Sequence, residues 1–325
     1  MKRLLAAIIV ATLAYSGWWF YAAGSLRSEV ETWFADQRAK GWQADYADIK
    51  VRGFPNRTDL TLTDPVLMSP NGDLGWQAPF FQILALSYNR GHVIVAWPDS
   101  QTLTTPVGEI AVTSDGLRAS LVFDDQTILR SNIEAPVLNL SGPDGSLALA
   151  DTNIALEQIA TAPTSYRFAL SAGNIATSTP RAVSGIGPDS LASARAETVL
   201  ELDGPLRLDT LTDAPPQLTA IDVQRSEITY GPVTFRIALT ASLDAQGLAT
   251  GEMSITADNW RAGVEAARDN GDLPPGLADG LIDALSLLST FNGTRDSLDV
   301  TLGINRGTLL LGPVPVGQIP PIRWP

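Results

Sequence analysis

Hydrophobic and polar positions follow three successive patterns along this chain. Residues 4–24 (LLAAIIVATLAYSGWWFYAAG) contain no charged side chain. A helix of roughly 20 apolar residues is long enough to cross the ~30 Å hydrocarbon core of a bilayer. Residues 25–40 then bring apolar side chains back every three or four positions, which predicts a further stretch of helix. From about residue 44 the apolar side chains recur at every second position, which is typical of β-strands.

The clearest alternation lies at 233–244, where apolar side chains face one way and mostly polar ones the other. Such strands favour an antiparallel sheet with one apolar and one polar face. Turn sequences such as Pro70-Asn71-Gly72-Asp73 predict consecutive hairpins. The predicted fold class is therefore all-β with accessory helices: an N-terminal transmembrane helix followed by an antiparallel, elongated or folded-over β-sheet ectodomain.

These patterns divide the chain into consecutive parts. The predicted parts are a transmembrane anchor at 1–24, a linker helix at 25–43, an N-terminal β-rich half at 44–180 and a C-terminal β-rich half at 195–325. The break between the halves is placed in the Pro/Gly/Ser-rich stretch around 178–194. A helical insertion is predicted at about 259–290. Its leucine-rich helix has two open interpretations, a gate over a groove or a helix packed on the sheet.

The first segment has two interpretations as well. Lys2 and Arg3 precede the apolar run, which predicts a cytoplasmic N-terminus. The residues Trp18, Trp19, Phe20 and Tyr21 at its outer end are typical of a membrane interface. The small residues 22–24 are instead typical of a signal-peptide cleavage site. Both interpretations carry the rest of the chain out of the cytoplasm. For a Gram-negative cell they predict a periplasmic ectodomain, and the first predicts a single-pass inner-membrane anchor.

Composition limits the chemistry that the chain can perform. The formal net charge of −13 argues against nucleic acid as a partner. With no cysteine and one histidine, disulfides, thiolate catalysis and iron–sulfur clusters are excluded, and no metal site or cofactor is predicted. A catalytic His92 would need a nucleophile or an orienting carboxylate that the sequence does not identify. We therefore do not expect an enzyme.

One short motif, Gly53-Phe54-Pro55, has a structural and a functional interpretation. As a fixed corner, Gly53 would permit an unusual φ, Phe54 would fill the core and Pro55 would end the ladder. As a functional element it would be a recognition loop. The structural interpretation is favoured because each residue type suits a turn.

Several segments together resemble an uncharacterised bacterial envelope family, domain of unknown function 2125. They are the anchor, the Trp-bearing helix, IKVRGFPNR at 49–57, Asp64-Pro65, Trp76-Gln77-Ala78-Pro79 and LALSYNRGHVIVAWP at 84–98. The C-terminal third, with GEMSI at 251–255 and GTLLLGP at 307–313, is similar to AsmA-like inner-membrane-anchored proteins. That resemblance implies a β-sheet whose apolar face handles phospholipid between membranes.

The leading hypothesis is a membrane-anchored, non-enzymatic envelope protein that binds or handles lipid through an apolar sheet face. The candidate lipid-binding residues are Val233, Phe235, Ile237 and Leu239, and the expected partners are the membrane, phospholipid and other envelope proteins. The alternative is an envelope scaffold or protein-interaction module with a closed β core. An exposed edge strand would then bind partners by β-augmentation.

Overall fold

The structure is a computed structural model that describes residues 1–178, 192–211, 214–269, 273–291 and 297–323. The fold is mostly β and antiparallel, with three helices in the described part of the chain, and the predicted fold class is confirmed. The chain forms two compact units. Unit 1 comprises Met1–Val122 and Ile133–Asp144, and unit 2 comprises Phe123–Asn132 and Gly145–Pro325. The break predicted around 178–194 falls largely on 179–191, outside the described residues.

Unit 1 begins with a single helix, α1 (Lys2–Ala39). It joins the apolar run and the following amphipathic segment without interruption, and Gly41 follows its end with a φ of +88°. The positive φ suits glycine and stops the helix. By length and composition, α1 is the one helix among the described residues that is apolar and long enough to cross a membrane.

The strands of unit 1 are short and paired in two rows. They are β1 (Gln43–Asp45), β2 (Asp48–Arg52), β3 (Arg57–Thr63), β4 (Val66–Met68), β5 (Gly75–Gln77), β6 (Phe80–Leu86), β7 (Asn89–Ala96), β8 (Ser100–Thr105), β9 (Gly108–Asp115), β10 (Arg118–Asp124) and β11 (Thr127–Gly142). The division between the units falls within β10 and β11. One row pairs in the order β2-β3-β6-β7-β10, and the other in the order β1-β4-β5-β8-β9-β11.

The two rows are halves of one sheet that bends along a line. Three successive long strands are interrupted midway by proline, at Asp64-Pro65 between β3 and β4, at Pro79 between β5 and β6, and at Pro98 between β7 and β8. Proline cannot donate a ladder hydrogen bond, and Asp64 has a φ of +48°. Hydrogen bonds nevertheless continue across the line, from Asp64 N to Pro79 O at 3.0 Å and from Ala78 N to Pro65 O at 3.2 Å. The sheet thus turns over without losing its pairing.

The core of unit 1 lies where α1 meets the bent sheet. Phe34 of α1 packs with Ala44, Ile49, Leu60 and Leu62, all buried. The Phe34 and Tyr46 rings meet edge to face with centroids 4.7 Å apart. The amphipathic half of α1 therefore covers the start of the sheet.

Unit 2 is a meander of longer strands. They are β12 (Gly145–Ile159), β13 (Ala162–Thr177), β14 (Ala192–Leu202), β15 (Leu218–Tyr230), β16 (Val233–Leu243), β17 (Ala249–Asp258), β18 (Ser297–Asn305), β19 (Thr308–Leu311) and β20 (Val314–Gln318). Each pairs antiparallel with the next in the chain, in agreement with the predicted hairpins. Helices α2 (Trp260–Asp269) and α3 (Pro275–Phe291) lie between β17 and β18, close to the predicted insertion.

The best-packed part of the unit 2 meander is small and lies near β16–β18. Ala241, Ala249 and Ile304 are buried there, with half-buried side chains such as Leu239 and Met253 against them. Tyr166 is buried elsewhere in unit 2, and its hydroxyl accepts a hydrogen bond from Leu206 N at 2.9 Å. Much of the apolar face of the meander retains solvent exposure.

Candidate apolar binding site

An apolar cavity of about 730 Å³ lies within unit 1, between the two rows of the bent sheet and α1. Its volume falls in the range typical of small-molecule sites, about 300–1,000 Å³. Its walls come from α1 and from strands of both rows. The lining residues are Val30, Trp33, Phe34, Leu60, Leu62, Leu67, Trp76, Phe81, Ile83, Trp97, Gln101, Leu103, Val112, Leu117, Leu138 and Leu140.

Three aromatic side chains form a continuous row along one wall. Trp76 of β5 meets Phe81 of β6 edge to face with centroids 5.6 Å apart, and Phe81 meets Trp97 at the same distance. These residues lie on both sides of the proline bend, since Pro79 separates β5 from β6. The bend therefore places side chains from the two rows on one surface. Edge-to-face packing holds the rings in place while leaving parts of their faces available for contact.

The lining side chains show that the space between the rows is incompletely filled. Leu60 and Leu62 at its base are buried, whereas Trp76, Phe81 and Trp97 are only half-buried. Interiors of folded domains are normally packed as densely as organic crystals. An apolar wall that keeps its exposure between two sheet rows is instead a surface that a ligand with an apolar chain would bury.

The polar content of the wall is small and largely satisfied. The indole Nε1 of Trp76 donates a hydrogen bond to Oε1 of Gln101 at 2.7 Å, and no ionisable side chain belongs to the lining set. Charged side chains elsewhere in unit 1 pair with one another. A hydrogen bond from Lys50 lowers the pKa of the exposed Asp48 carboxyl, and a hydrogen bond to Glu31 raises the pKa of Arg27. The cavity therefore suits a neutral, apolar moiety, because a charge placed inside it would remain unpaired.

The sequence-predicted lipid-binding residues occupy one face of β16 in unit 2, and none of them belongs to this lining set. Val233 is buried beside Gly263 of α2, where an added Cβ would stand 2.3 Å from its Cγ2. Phe235 is 38% exposed, and Ile237 and Leu239 are half-buried. The register pairs Phe235 with the exposed Ile228 and with the buried Ala257, so the apolar face is open on the β15 side of Phe235. The lipid role of the four residues stays a prediction.

The four aromatic residues predicted at the membrane interface divide into two groups. Trp19 is 4% exposed and donates from Nε1 to the carbonyl of Arg57 at 2.9 Å. Trp18, Phe20 and Tyr21 are exposed. One side of α1 at this level therefore belongs to the interior of unit 1, and the other side faces outwards.

The Gly53-Phe54-Pro55 motif forms a tight corner, as predicted, but Phe54 does not fill the core. Gly53 has a φ of +107°, and a Cβ on it would stand 2.7 Å from Cβ of Arg57. Phe54 is 46% exposed and stacks on Phe20 with centroids 5.6 Å apart. The prediction that Phe54 plugs the core is wrong because Trp19 occupies the inner position beside this corner, which directs Phe54 outwards.

His92 has a hydrogen-bond partner that the sequence did not identify. Its Nε2 lies 3.0 Å from Oγ of Ser120, across the pairing of β7 with β10. A serine–histidine pair is part of many nucleophilic sites, which also need a group that orients the imidazole. Within the described residues no carboxylate hydrogen bonds to this ring, and no three acidic, histidine or cysteine side chains gather as a metal site.

The comparisons with known proteins identify one family. A model of the family described as an uncharacterised protein conserved in bacteria (DUF2125) matches residues 19–320. No curated protein and no solved structure matches the chain. The resemblance to AsmA-like proteins receives no support from these comparisons and stays an expectation.

Proposed function

We propose that this chain, which belongs to the uncharacterised bacterial family DUF2125, is a non-enzymatic envelope protein. In this proposal the protein binds the acyl chain of a phospholipid in the unit 1 cavity. The observation that supports this proposal is the aromatic and aliphatic lining of an open cavity of about 730 Å³. The proposal keeps the lipid-handling hypothesis drawn from the sequence but moves its centre from β16 to the space beneath α1.

The physical basis is burial of methylene groups against an apolar wall. Each CH₂ removed from water contributes about 0.8 kcal/mol, so affinity depends on how much of the chain the cavity accepts. Trp33, Trp76 and Trp97 offer broad faces at low conformational cost. A headgroup has no ionic partner in the lining set, so it would remain outside while the acyl chain enters.

Membrane anchoring by α1 is the second part of the proposal. Cleavage after residues 22–24 would remove Trp19, which is buried in unit 1 and hydrogen bonded to the Arg57 carbonyl. It would also remove Tyr15, whose hydroxyl donates to Pro55 O at 2.7 Å. A segment that contributes buried contacts to the folded unit favours a retained anchor over a signal peptide. With Lys2 and Arg3 at its start, the anchor would place the remainder in the periplasm.

An interaction module remains the alternative, and β20 is the feature that favours it. All five residues of this strand are exposed, and it pairs with β19 along one side. An exposed strand can recruit a partner by backbone pairing. Pro315 within β20 lacks an N–H and weakens that capacity. This alternative also requires a closed core, whereas unit 1 contains an open cavity.

The test is native mass spectrometry of the full-length protein purified in mild detergent, with identification of every retained lipid. Leu103→Trp is the cavity variant, because Leu103 lines the cavity opposite Trp76 in the β5–β8 register. Leu74→Trp is the matched control, since Leu74 is exposed on a turn outside the lining set. If the larger side chain of Leu103→Trp excludes two methylene groups of the acyl chain from the cavity, binding weakens by ~1.6 kcal/mol, which is about 15-fold in affinity.

Wild-type protein and the Leu74→Trp control should retain phospholipid at a defined ratio, and Leu103→Trp should lose it. Thermal unfolding of all three proteins checks that both variants fold. Equal lipid retention by the two folded variants would contradict the cavity site, as would wild-type protein that carries no lipid. Retention of a specific protein in place of lipid would favour the interaction module.

A further inference from the structure

The corner at Gly53-Phe54-Pro55 and the turn between β6 and β7 both hold α1 within its apolar run. The hydroxyl of Tyr15 donates to Pro55 O at 2.7 Å and lies 3.0 Å from Oγ of Ser87. Four residues further on, Trp19 donates to the Arg57 carbonyl, and Phe20 stacks on Phe54. Two loops of unit 1 are therefore fixed at the level of residues 15–20 of the helix.

Residues 15–20 lie well inside the apolar run that the helix needs in order to span a membrane. At 1.5 Å per residue, the charge-free run from Leu4 to Gly24 covers about 30 Å, the thickness of the hydrocarbon core. From Leu4 to Tyr15 the helix covers only about 17 Å. If the two loops stayed wholly in water, little more than half of the hydrocarbon core would be spanned. Tyr15 stands about 14 Å along the helix from the outer end of the run, so the loops bonded to it must enter the outer leaflet for more of the run to lie within the membrane.

The surface of the loops suits such an environment. Around the docked helix, five aromatic side chains are exposed: Trp18, Phe20, Tyr21, Phe54 and Tyr88. The two loops also expose polar and cationic side chains, namely Arg52, Asn56, Arg57, Asn89 and Arg90. Tyr88 is 75% exposed and follows the buried Ser87. The guanidinium of Arg90 stands over the Trp18 ring, 5.2 Å from its centroid. Aromatic rings and long cationic side chains that reach towards phosphate are typical of the headgroup region.

The polar groups at this contact are bonded within the protein, as a membrane environment demands. Ser87 Oγ donates to Pro55 O at 2.9 Å, so this carbonyl receives bonds from both Ser87 and Tyr15. On α1 itself, Thr12 and Ser16 donate to the carbonyls of Ile8 and Thr12 at 2.9 and 2.7 Å.

We propose that unit 1 is partly immersed in the outer leaflet of the membrane that α1 spans. The corner carrying Phe54 and the turn carrying Tyr88 insert among phospholipid headgroups and upper acyl chains. Together with α1 they give the protein a second membrane attachment. The occupant is the bilayer itself, because the helix that the loops grip is the segment that crosses it. This inference rests on the anchoring part of the proposed function and is independent of the cavity and its ligand.

The natural chain has no cysteine, so single cysteines can be introduced without background. Phe54→Cys and Tyr88→Cys place an environment-sensitive nitrobenzoxadiazole fluorophore on the two loops. Leu13→Cys reports on the anchor, since Leu13 is exposed within the apolar run. Leu74→Cys is the control: its turn lies beside Pro70, which faces Gly41 at the far end of α1, about 36 Å along the helix from Tyr15. The full-length proteins are reconstituted in phosphatidylethanolamine–phosphatidylglycerol vesicles with nitroxide-labelled lipid.

Fluorophores at positions 54 and 88 should show at least half of the lipid quenching seen at position 13, and position 74 should show none. Quenching at 13 without quenching at 54 and 88 would overturn the proposal and leave the anchor intact. A blue shift at 54 and 88 that nitroxide lipid does not quench would indicate burial against protein and would also overturn it. An unquenched position 13 would instead refute the anchoring on which the proposal rests. Equal quenching at 74 would indicate general adsorption and reject a specific depth.

Discussion

The two units use the same antiparallel pairing but treat their apolar face differently. In unit 1, prolines interrupt successive strands at neighbouring positions, and the sheet bends over a cavity covered by α1. In unit 2, strands of 9–16 residues from β12 to β18 run without such a line of bends, and the apolar face around Phe235 stays open. Amphipathic strands therefore do not by themselves determine whether an apolar face becomes a cavity or an open surface. The position of the proline interruptions along the strands determines which of the two forms.

The largest expected difference between the units comes from one substitution made in each. Phe34→Ala removes a ring that is 2% exposed and packs against Tyr46, so we expect a loss of about 3–5 kcal/mol in the free energy of unfolding. Phe235→Ala removes a ring that is 38% exposed, and the loss should be less than half as large. Urea unfolding of the full chain in detergent measures both. Equal losses would show that the unit 2 face is covered as fully as the core of unit 1.

A second pair of variants compares the tight corner of unit 1 with an open turn of unit 2. Gly53→Ala forces a Cβ to 2.7 Å from Arg57 Cβ at a φ of +107°, so it should cost about 2–3 kcal/mol. Gly231→Ala, in the turn between β15 and β16, has a φ of +52° and no neighbouring atom within 4 Å. We expect Gly231→Ala to lower the free energy of unfolding by about 1 kcal/mol, because only the left-handed backbone conformation opposes the substitution. Similar unfolding midpoints for the two variants would contradict the crowding that we assign to Gly53.

The fold was predictable from the sequence where local pattern decides it. Period two around Phe235 predicted β16 and its face, and the turn sequences predicted the hairpins. The bend of unit 1 was not predictable, because Pro65, Pro79 and Pro98 act together only once pairing aligns their strands. The sole advance signals of the cavity were Trp76 and Trp97, which stand close to these prolines. Phe54 was misplaced because the sequence does not show that Trp19, from a distant segment, fills the space beside it.

A smaller effect distinguishes two indoles, the half-buried Trp76 of unit 1 and the buried Trp260 of unit 2. Trp76→Phe removes the hydrogen bond to Gln101 and leaves an amide oxygen without that donor, which should cost about 1 kcal/mol beyond the change in size. In the described part of unit 2, no acceptor reaches the buried Nε1 of Trp260, so Trp260→Phe should lose only packing. A double-mutant cycle of Trp76→Phe with Gln101→Leu, followed by urea unfolding, isolates the hydrogen bond from the change in ring size. A coupling free energy near zero in that cycle would contradict the assignment.

The smallest effect concerns the polar face of unit 2. The pKa of Asp258 is lowered, first by a hydrogen bond from Arg236 and then by one from Ser297. A carboxyl whose pKa is lower in the folded state stabilises that state above its unfolded pKa. This contribution is lost as pH falls through the lower, folded pKa, in the range below about pH 4.

The Asp258→Asn variant should therefore unfold at slightly lower urea than wild type at pH 7, and the difference should shrink as the pH is brought to about 3. Asp279→Asn is the matched control, because Asp279 is an exposed carboxylate that approaches Arg268 only to 3.5 Å. The Arg236 pair is solvent-exposed, which limits its effect. A pH-independent difference for Asp258→Asn would mean that the carboxyl acts through shape and not through charge. The polar face of the unit 2 meander would then contribute to the free energy of unfolding by packing, as the bent sheet of unit 1 does.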